Sequence, residues 1–467
     1  TDSAPRAILI ARFLAEKLLA VGIDAQVVPM RPEELLRDVL VNRRFDVYVG
    51  RHPGSHDPDF LRPLLHSRFA SEPGWQNPFG YANLQVDDLL VSQRLESGRA
   101  RNATLRTLQR TVATDCPFAV VAFPDDIRSV RTDRVTGWTD HGLHTVESYL
   151  ALERRAGSTA PDPPDWNAST TPETGESGLR MTTTDDRPTK NLNPLSVEFR
   201  DGGTITGLLY DPLARSIDGE LVPWLAESWR WIDEPAADGP ALEVTLRDGL
   251  RWHDGERLTT SDVAFTYDFL TDTSMGEMEI PVPAPRYRGL TSLVADAAAL
   301  DSRTVTLEFV TSSRETALRA LSVPPLPAHV WRETATPATV ASLGDGSVTE
   351  AIVWENMDPV GSGPLEYEGS TVNERLVLTP YDDHFLARDG LDGPVEPFEG
   401  GFSSDRLTFR VVPSGEAAVE LLLSGAADGT ATSVMPQNVP PGGHADDAQV
   451  FTRSANAPNG GFMSTTS

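Results

Sequence analysis

Ala241–Leu270 reads ALEVTLRDGLRWHDGERLTTSDVAFTYDFL, and this run decides the fold. Leu242, Val244 and Leu246 alternate with Glu243 and Thr245, the period-two pattern of a half-buried strand. Arg247-Asp248-Gly249 turns the chain, and Trp252 is followed by a second turn at Asp254-Gly255. Thr259 opens a helix, with Asp262 three residues on to complete a capping box. Val263, Tyr267 and Leu270 then recur at i, i+4 and i+7, which gives the helix one apolar face. The stretch predicts a strand, a tight double turn and a capped helix.

Its flanks carry further short motifs in a fixed order: Asn191-Leu-Asn-Pro194, Leu209-Tyr210-Asp211-Pro212-Leu213, Leu221–Trp229 (LVPWLAESW), Pro324–Trp331 (PPLPAHVW) and Gly361-Ser362-Gly363-Pro364. Together with RDGLRWHDGERLTTSDVAF they resemble the signature of the family 5 extracytoplasmic solute-binding proteins, the peptide and nickel type of ABC-transporter receptor. The matching family patterns are "lnP", "YepL", "l.P.LAesW", "ilPkHiw" and "GTGPy". The resemblance spans about Leu179 to the C-terminus. It implies an α/β fold of the two-lobed, type II periplasmic-binding-protein kind, with mixed sheets and hinge closure on a ligand. It also implies an extracellular or cell-surface location and delivery of the ligand to an ABC permease in the membrane.

A chain of 467 residues is too long for one core. Its formal net charge is −28, from 68 acidic and 40 basic residues, and lysine occurs only at Lys17 and Lys190. Such a surface repels nucleic acid and anionic lipid, which argues against both as partners. It also repels itself unless salt screens it, so adaptation to high salt is expected, with an ordinary acidic secreted protein as the alternative. The single cysteine, Cys116, excludes an intramolecular disulfide and a multi-cysteine metal site. Lying before an apolar run, it reads as a buried, inert thiol. There is no apolar run of transmembrane length. A nucleophile elbow, P-loop, H-E-x-x-H and dinucleotide fingerprint are all missing, so neither catalysis nor a cofactor is expected.

Near the start, Leu9, Phe13, Leu14 and Leu18 sit at helical spacing from Arg6 to Ala20, and Gly22 ends that helix. Ile23–Val28 reads as a strand, Pro32–Val41 as a helix and Phe45–Val49 as a second strand, which predicts a parallel α/β layer. Helices are expected at Val86–Glu96 and Ala103–Ala113. The pieces GIDA at 22–25, FDVYVG at 45–50 and DPDF at 57–60 resemble the family's later portion, so residues 1–155 look like its C-terminal third. Residues 156–178, rich in Pro, Ser, Thr and acid, bury too little to repay ordering and read as a linker. Residues 179–467 resemble the N-terminal lobe, incomplete at its end, with strands at Thr304–Val310, Arg375–Leu378 and Leu407–Val412 and a helix at Glu416–Leu423 stopped by Gly425. The segments therefore run out of family order. Either the chain is a window on a tandem array of two receptors or it is a permuted single receptor, and the open start and end favour the window.

The loop Gly50–Asp59 follows a strand's C-terminal end, where open α/β sheets place ligands. Gly50, Arg51 and His52 are candidate ligand contacts, through backbone groups and an arginine fork suited to carboxylate. In peptide-binding members of the family an aspartate of this loop holds the ligand's amine; that position here is Gly54, and the aromatic position is Arg51. Asp57-Pro58-Asp59 alternatively shapes a turn and caps the next helix. His52, His56, Asp57 and Asp59 together make a possible nickel or zinc set. The resemblance puts Glu198 and Phe199 on the cleft. Tyr210, Trp224 and Trp229 either line the cleft or belong to the core. His253 reads as a turn residue bonded locally, and Ser362 as backbone-shaping. The expected ligand is an oligopeptide or similar small polar solute. A nickel or metal-chelate receptor is the first alternative, and a non-binding structural or sensory module of the same fold is the second.

Overall fold

Strand 241–246 forms as its alternation predicts, with Leu242, Val244 and Leu246 buried on its inner face. In the computed structural model it lies inside a four-stranded antiparallel sheet, in the order 226–232, 241–246, 304–309, 294–299. Gly249 at φ +66° and Gly255 at φ +86° make the two turns. Thr259 then donates from its backbone N–H to the Asp262 carboxylate at 2.9 Å, and helix Thr260–Thr271 begins. The structure describes residues 5–30, 32–35, 38–39, 42–50, 57–70, 76–122, 126–138, 145–155, 178–196, 203–217, 219–232, 239–340, 344–438 and 449–453.

A seven-stranded mixed sheet forms the other large layer, in the order 365–371, 375–380, 407–411, 179–183, 429–430, 126–130, 449–453. Strand Leu179–Thr183 pairs in parallel with 407–411 and 429–430, and its neighbours further out are antiparallel. Helix Gly415–Leu423 is capped by the Ser414 hydroxyl and ended by Gly425 at φ +79°. The architecture is α/β with mixed sheets, as expected.

Strand Asp126–Val130 comes from the part of the chain before the proline-rich stretch and lies between two strands that come after it. Asp428, fully buried, fastens this arrangement by accepting from the Arg180 amide at 2.9 Å and from Arg134 Nη1 at 3.4 Å. Helices Leu84–Leu95 and Gly98–Asp115 pack on Leu61–Leu65 around a small separate core of Leu61, Leu64, Leu65, Val86, Leu90, Leu105 and Leu108.

The first fifty residues depart from expectation. Helix Pro5–Ala20 forms and Pro32–Leu35 is α-helical, but 23–28 and 45–49 enter no ladder. A strand needs a neighbour to take its N–H and C=O groups. None among the described residues pairs with these segments, and Ile23, Val28 and Val47 are left exposed. The predicted parallel layer there is therefore absent among the described residues. Cys116 is also exposed, not buried. It ends helix Gly98–Asp115 in a left-handed conformation (φ +50°), and Val120 and Val121 beyond it are exposed.

Candidate functional site

Three of the sequence motifs meet in one buried knot. The Ser362 and Gly363 amides both donate to the Leu209 carbonyl, at 3.0 and 2.9 Å. A Cβ on Gly361 would stand 1.8 Å from Leu209 O, and one on Gly363 2.2 Å from Leu208 O, so only glycine fits either position. His253 reaches across from the opening stretch. Its Nδ1 accepts from the Gly361 amide at 3.3 Å, which leaves Nε2 as the protonated atom donating to Gly363 O at 3.0 Å. Burial lowers its pKa to about 4, so the ring is neutral. Asp211 accepts from Arg215 at 2.6 Å and from His384 Nε2 at 2.7 Å, while its own amide donates to Ser362 Oγ at 3.2 Å. Burial works against the Asp211 carboxylate, but Arg215 and His384 overcome it and hold its pKa below the usual range. Leu386 N–H donates to His384 Nδ1, so this imidazole is also held as one tautomer. The knot fixes backbone, and Ser362 lies within it as a buried acceptor.

The turn 191–196 is pinned as firmly. Asn193 Nδ2 donates to the carbonyls of Ala351 and Trp354, both at 2.8 Å, and Arg286 donates to Pro194 O at 2.7 Å. Beside it Tyr210 is 2 % exposed, and its hydroxyl accepts from Asn356 at 3.2 Å. Burial pushes the Tyr210 phenol pKa up. Of the residues chosen from sequence, Arg51, His52, Glu198 and Phe199 lie outside the described residues. Gly50 is exposed next to the Tyr48 ring, Tyr210 sits in the main core, and Trp224 is fully buried against Phe385.

Asp57 and Asp59 hold the second constellation. Asp57 caps its turn, accepting from the Asp59 amide at 2.8 Å, and takes both oxygens' worth of Arg101 Nη2, at 2.8 and 2.9 Å. Asp59 forms a fork with Arg94 at 2.6 Å on each oxygen and also accepts from Gln93 and Arg319. Burial raises the Asp59 pKa, but Arg94 and Arg319 outweigh it, and the net direction is down. Arg94 in turn donates to Ser292 Oγ and to Gly289 O, so this network crosses from the early helices to the body of the later chain. With those oxygens taken by arginines, Asp57 and Asp59 are poor metal ligands here. His52 and His56 lie outside the described residues, and no group of three or more His, Cys, Asp or Glu suited to a metal occurs among the described ones. The partners Arg94, Arg101, Arg319 and His384 escaped sequence reasoning, since each is separated from its carboxylate by tens to hundreds of residues.

Comparison with known proteins matches residues 220–465 to the family described as bacterial extracellular solute-binding proteins, family 5 Middle. The uncharacterized protein YejA of Escherichia coli K12 is 26 % identical over 230 residues, covering 48 % of this chain and 32 % of the relative. The oligopeptide-binding protein AppA of Bacillus subtilis is 27 % identical over 204 residues, covering 43 % and 31 %. The chain thus spans about a third of the length of these relatives. Among solved structures, the ABC transporter substrate-binding protein CtaP of Listeria monocytogenes is similar at 26 % identity and a TM-score of 0.40, covering 54 % of this chain and 44 % of that one.

Proposed function

The chain belongs to the family 5 extracellular solute-binding proteins, and on that premise we propose that it captures an oligopeptide or similar small polar solute for an ABC importer. The observation that carries this reading is the knot in which the 253, 209–211 and 361–363 motifs lock together, two of the three lying within the family match at 220–465. The oligopeptide-binding name of a relative supports the solute class. Gly50, Arg51 and His52 from one side, and Glu198 and Phe199 from the other, are the proposed contacts. Tyr210 acts behind them as a buried support. Residues 1–155 and 179–467 are the proposed receptor parts, joined by the linker 156–178. The cleft closes by hinge motion, the loaded receptor docks on permease subunits outside the cell, and the acidic surface suits high salt. Among the described residues no helix is long and apolar enough to cross a membrane.

The test is ligand-dependent thermal unfolding in molar salt, with peptide pools, nickel and neutral sugars tried in turn. A saturable rise with peptides is expected. A rise with nickel alone would replace the solute class. A folded protein that responds to none would favour the non-binding module, which Gly54 at the family's amine-holding position already makes the specific rival.

A further inference from the structure

Helix Gly98–Asp115 runs against the charge of the chain. Acidic residues outnumber basic ones by 68 to 40 overall, yet residues 97–114 hold four arginines and no acid. Arg101 turns inward and meets Asp57 at 2.8 Å. Arg99, Arg106 and Arg110 are exposed, and no ion pair or side-chain hydrogen bond engages them among the described residues. At about 100° per residue, spacings of seven and four place the three within about 40° of one another, in a row about 16 Å long. Asn102, Ala103, Thr107, Ala113 and Thr114 flank that row, exposed and neutral. Leu105 and Leu108 hold the opposite face in the small core of the early helices, so the row is presented on a rigid support. The helix itself gains nothing from this pattern. Arg99 stands in the first turn, where the helix dipole favours acid, and Arg106 and Arg110 are like charges four residues apart. Solubility does not call for it either, since the acidic surface already supplies net charge. A row of carboxylates laid alongside relieves both costs, because each guanidinium presents a planar fork to a carboxylate.

We propose that Arg99, Arg106 and Arg110 form a docking row for an acidic segment of a protein partner, lying along the helix. Charge complementarity selects a narrow partner. A segment meets the arginines alone, whereas a flat anionic bilayer also faces the acid of the surrounding surface. The arginine face offers no apolar side chain larger than alanine to enter a bilayer. The row does not depend on the solute-capture reading, since none of the three arginines is a proposed contact.

The experiment follows binding of fluorescein-labelled decaglutamate to the full chain by fluorescence anisotropy, in the lowest salt at which the chain stays folded. An uncharged Gly-Ser decapeptide is the control. Saturable binding of decaglutamate alone is expected, weakening as salt rises. Arg99→Gln, Arg106→Gln and Arg110→Gln should each raise the half-saturating concentration several-fold, and the triple variant about tenfold or more. Their unfolding midpoints should equal or exceed that of the wild type, since glutamine keeps the helix and removes the like charges. A midpoint that falls by several degrees makes the arginines part of the fold and overturns the row. So does an absence of binding, or binding that the triple variant keeps, which belongs to the cleft or another surface. Phosphatidylglycerol vesicles bound through the same arginines would overturn the acidic segment in favour of lipid. Self-association lost in the triple variant would overturn a separate partner in favour of a second copy.

Discussion

Helix Thr260–Thr271 and helix Pro5–Ala20 make a useful pair. The shorter one buries Val263, Phe265, Tyr267, Phe269 and Leu270, while the longer leaves Leu9, Phe13 and Leu19 at 55, 54 and 63 % exposure. Length and periodicity favour the helix that is less well packed. What separates them is covering: helix 260–271 lies against strands 294–299 and 304–309 and Trp331, while few described elements reach the outer side of helix 5–20. Most helix stability in a protein comes from such packing and little from propensity.

The largest test of that contrast is Phe269→Ala, which should cost about 3–5 kcal/mol because the ring is fully buried. Urea unfolding measures it, and a loss under about 1 kcal/mol would mean the helix is far less covered than described. Next comes Asp59→Asn, which leaves Arg94 and Arg319 facing a neutral group and should cost about 3 kcal/mol. Adding Arg94→Met should return part of that loss, and additive losses would show that the two groups are not coupled.

The third test is pH. His253 has a folded pKa of about 4, below its ordinary value, so the unfolded chain binds the extra proton first as pH falls. Its contribution is fully present above about pH 6.5 and is lost progressively down to about pH 4. A loss on the order of 3 kcal/mol is expected, at about 1.4 kcal/mol per pKa unit. His253→Gln should flatten that limb of the stability–pH curve. The smallest effect belongs to Phe13→Ser, expected within about 0.5 kcal/mol. A loss as large as that of Phe269→Ala would reveal a partner on helix 5–20.

Local chemistry made part of this legible beforehand. The capping box at Thr259 and Asp262, the alternation at 241–246 and the glycine stop at Gly425 each depend on residues a few positions apart. Ile23–Val28 alternates too, but a strand depends on a neighbour that its own residues do not encode. The same limit hid the arginines around Asp57 and Asp59. The DPD motif announces a turn, and nothing in it says that Arg319 will arrive from 260 positions away. Of the candidate site, the knot's glycines and His253 could be read as structural. The depth at which Tyr210 lies could not, because an aromatic beside a turn serves equally in a core or a cleft wall.

The position of strand 126–130 sets a timetable. Its Ile127 amide donates to Ser433, 306 residues later, and its ladder neighbours are 429–430 and 449–453. At translation rates of roughly 5–20 residues per second, its edges wait about 15–60 seconds on the ribosome before a mate exists. During that interval a bare strand edge is open to pairing with any other nascent chain. The seven-stranded sheet can therefore close only once residues 429–453 have been made.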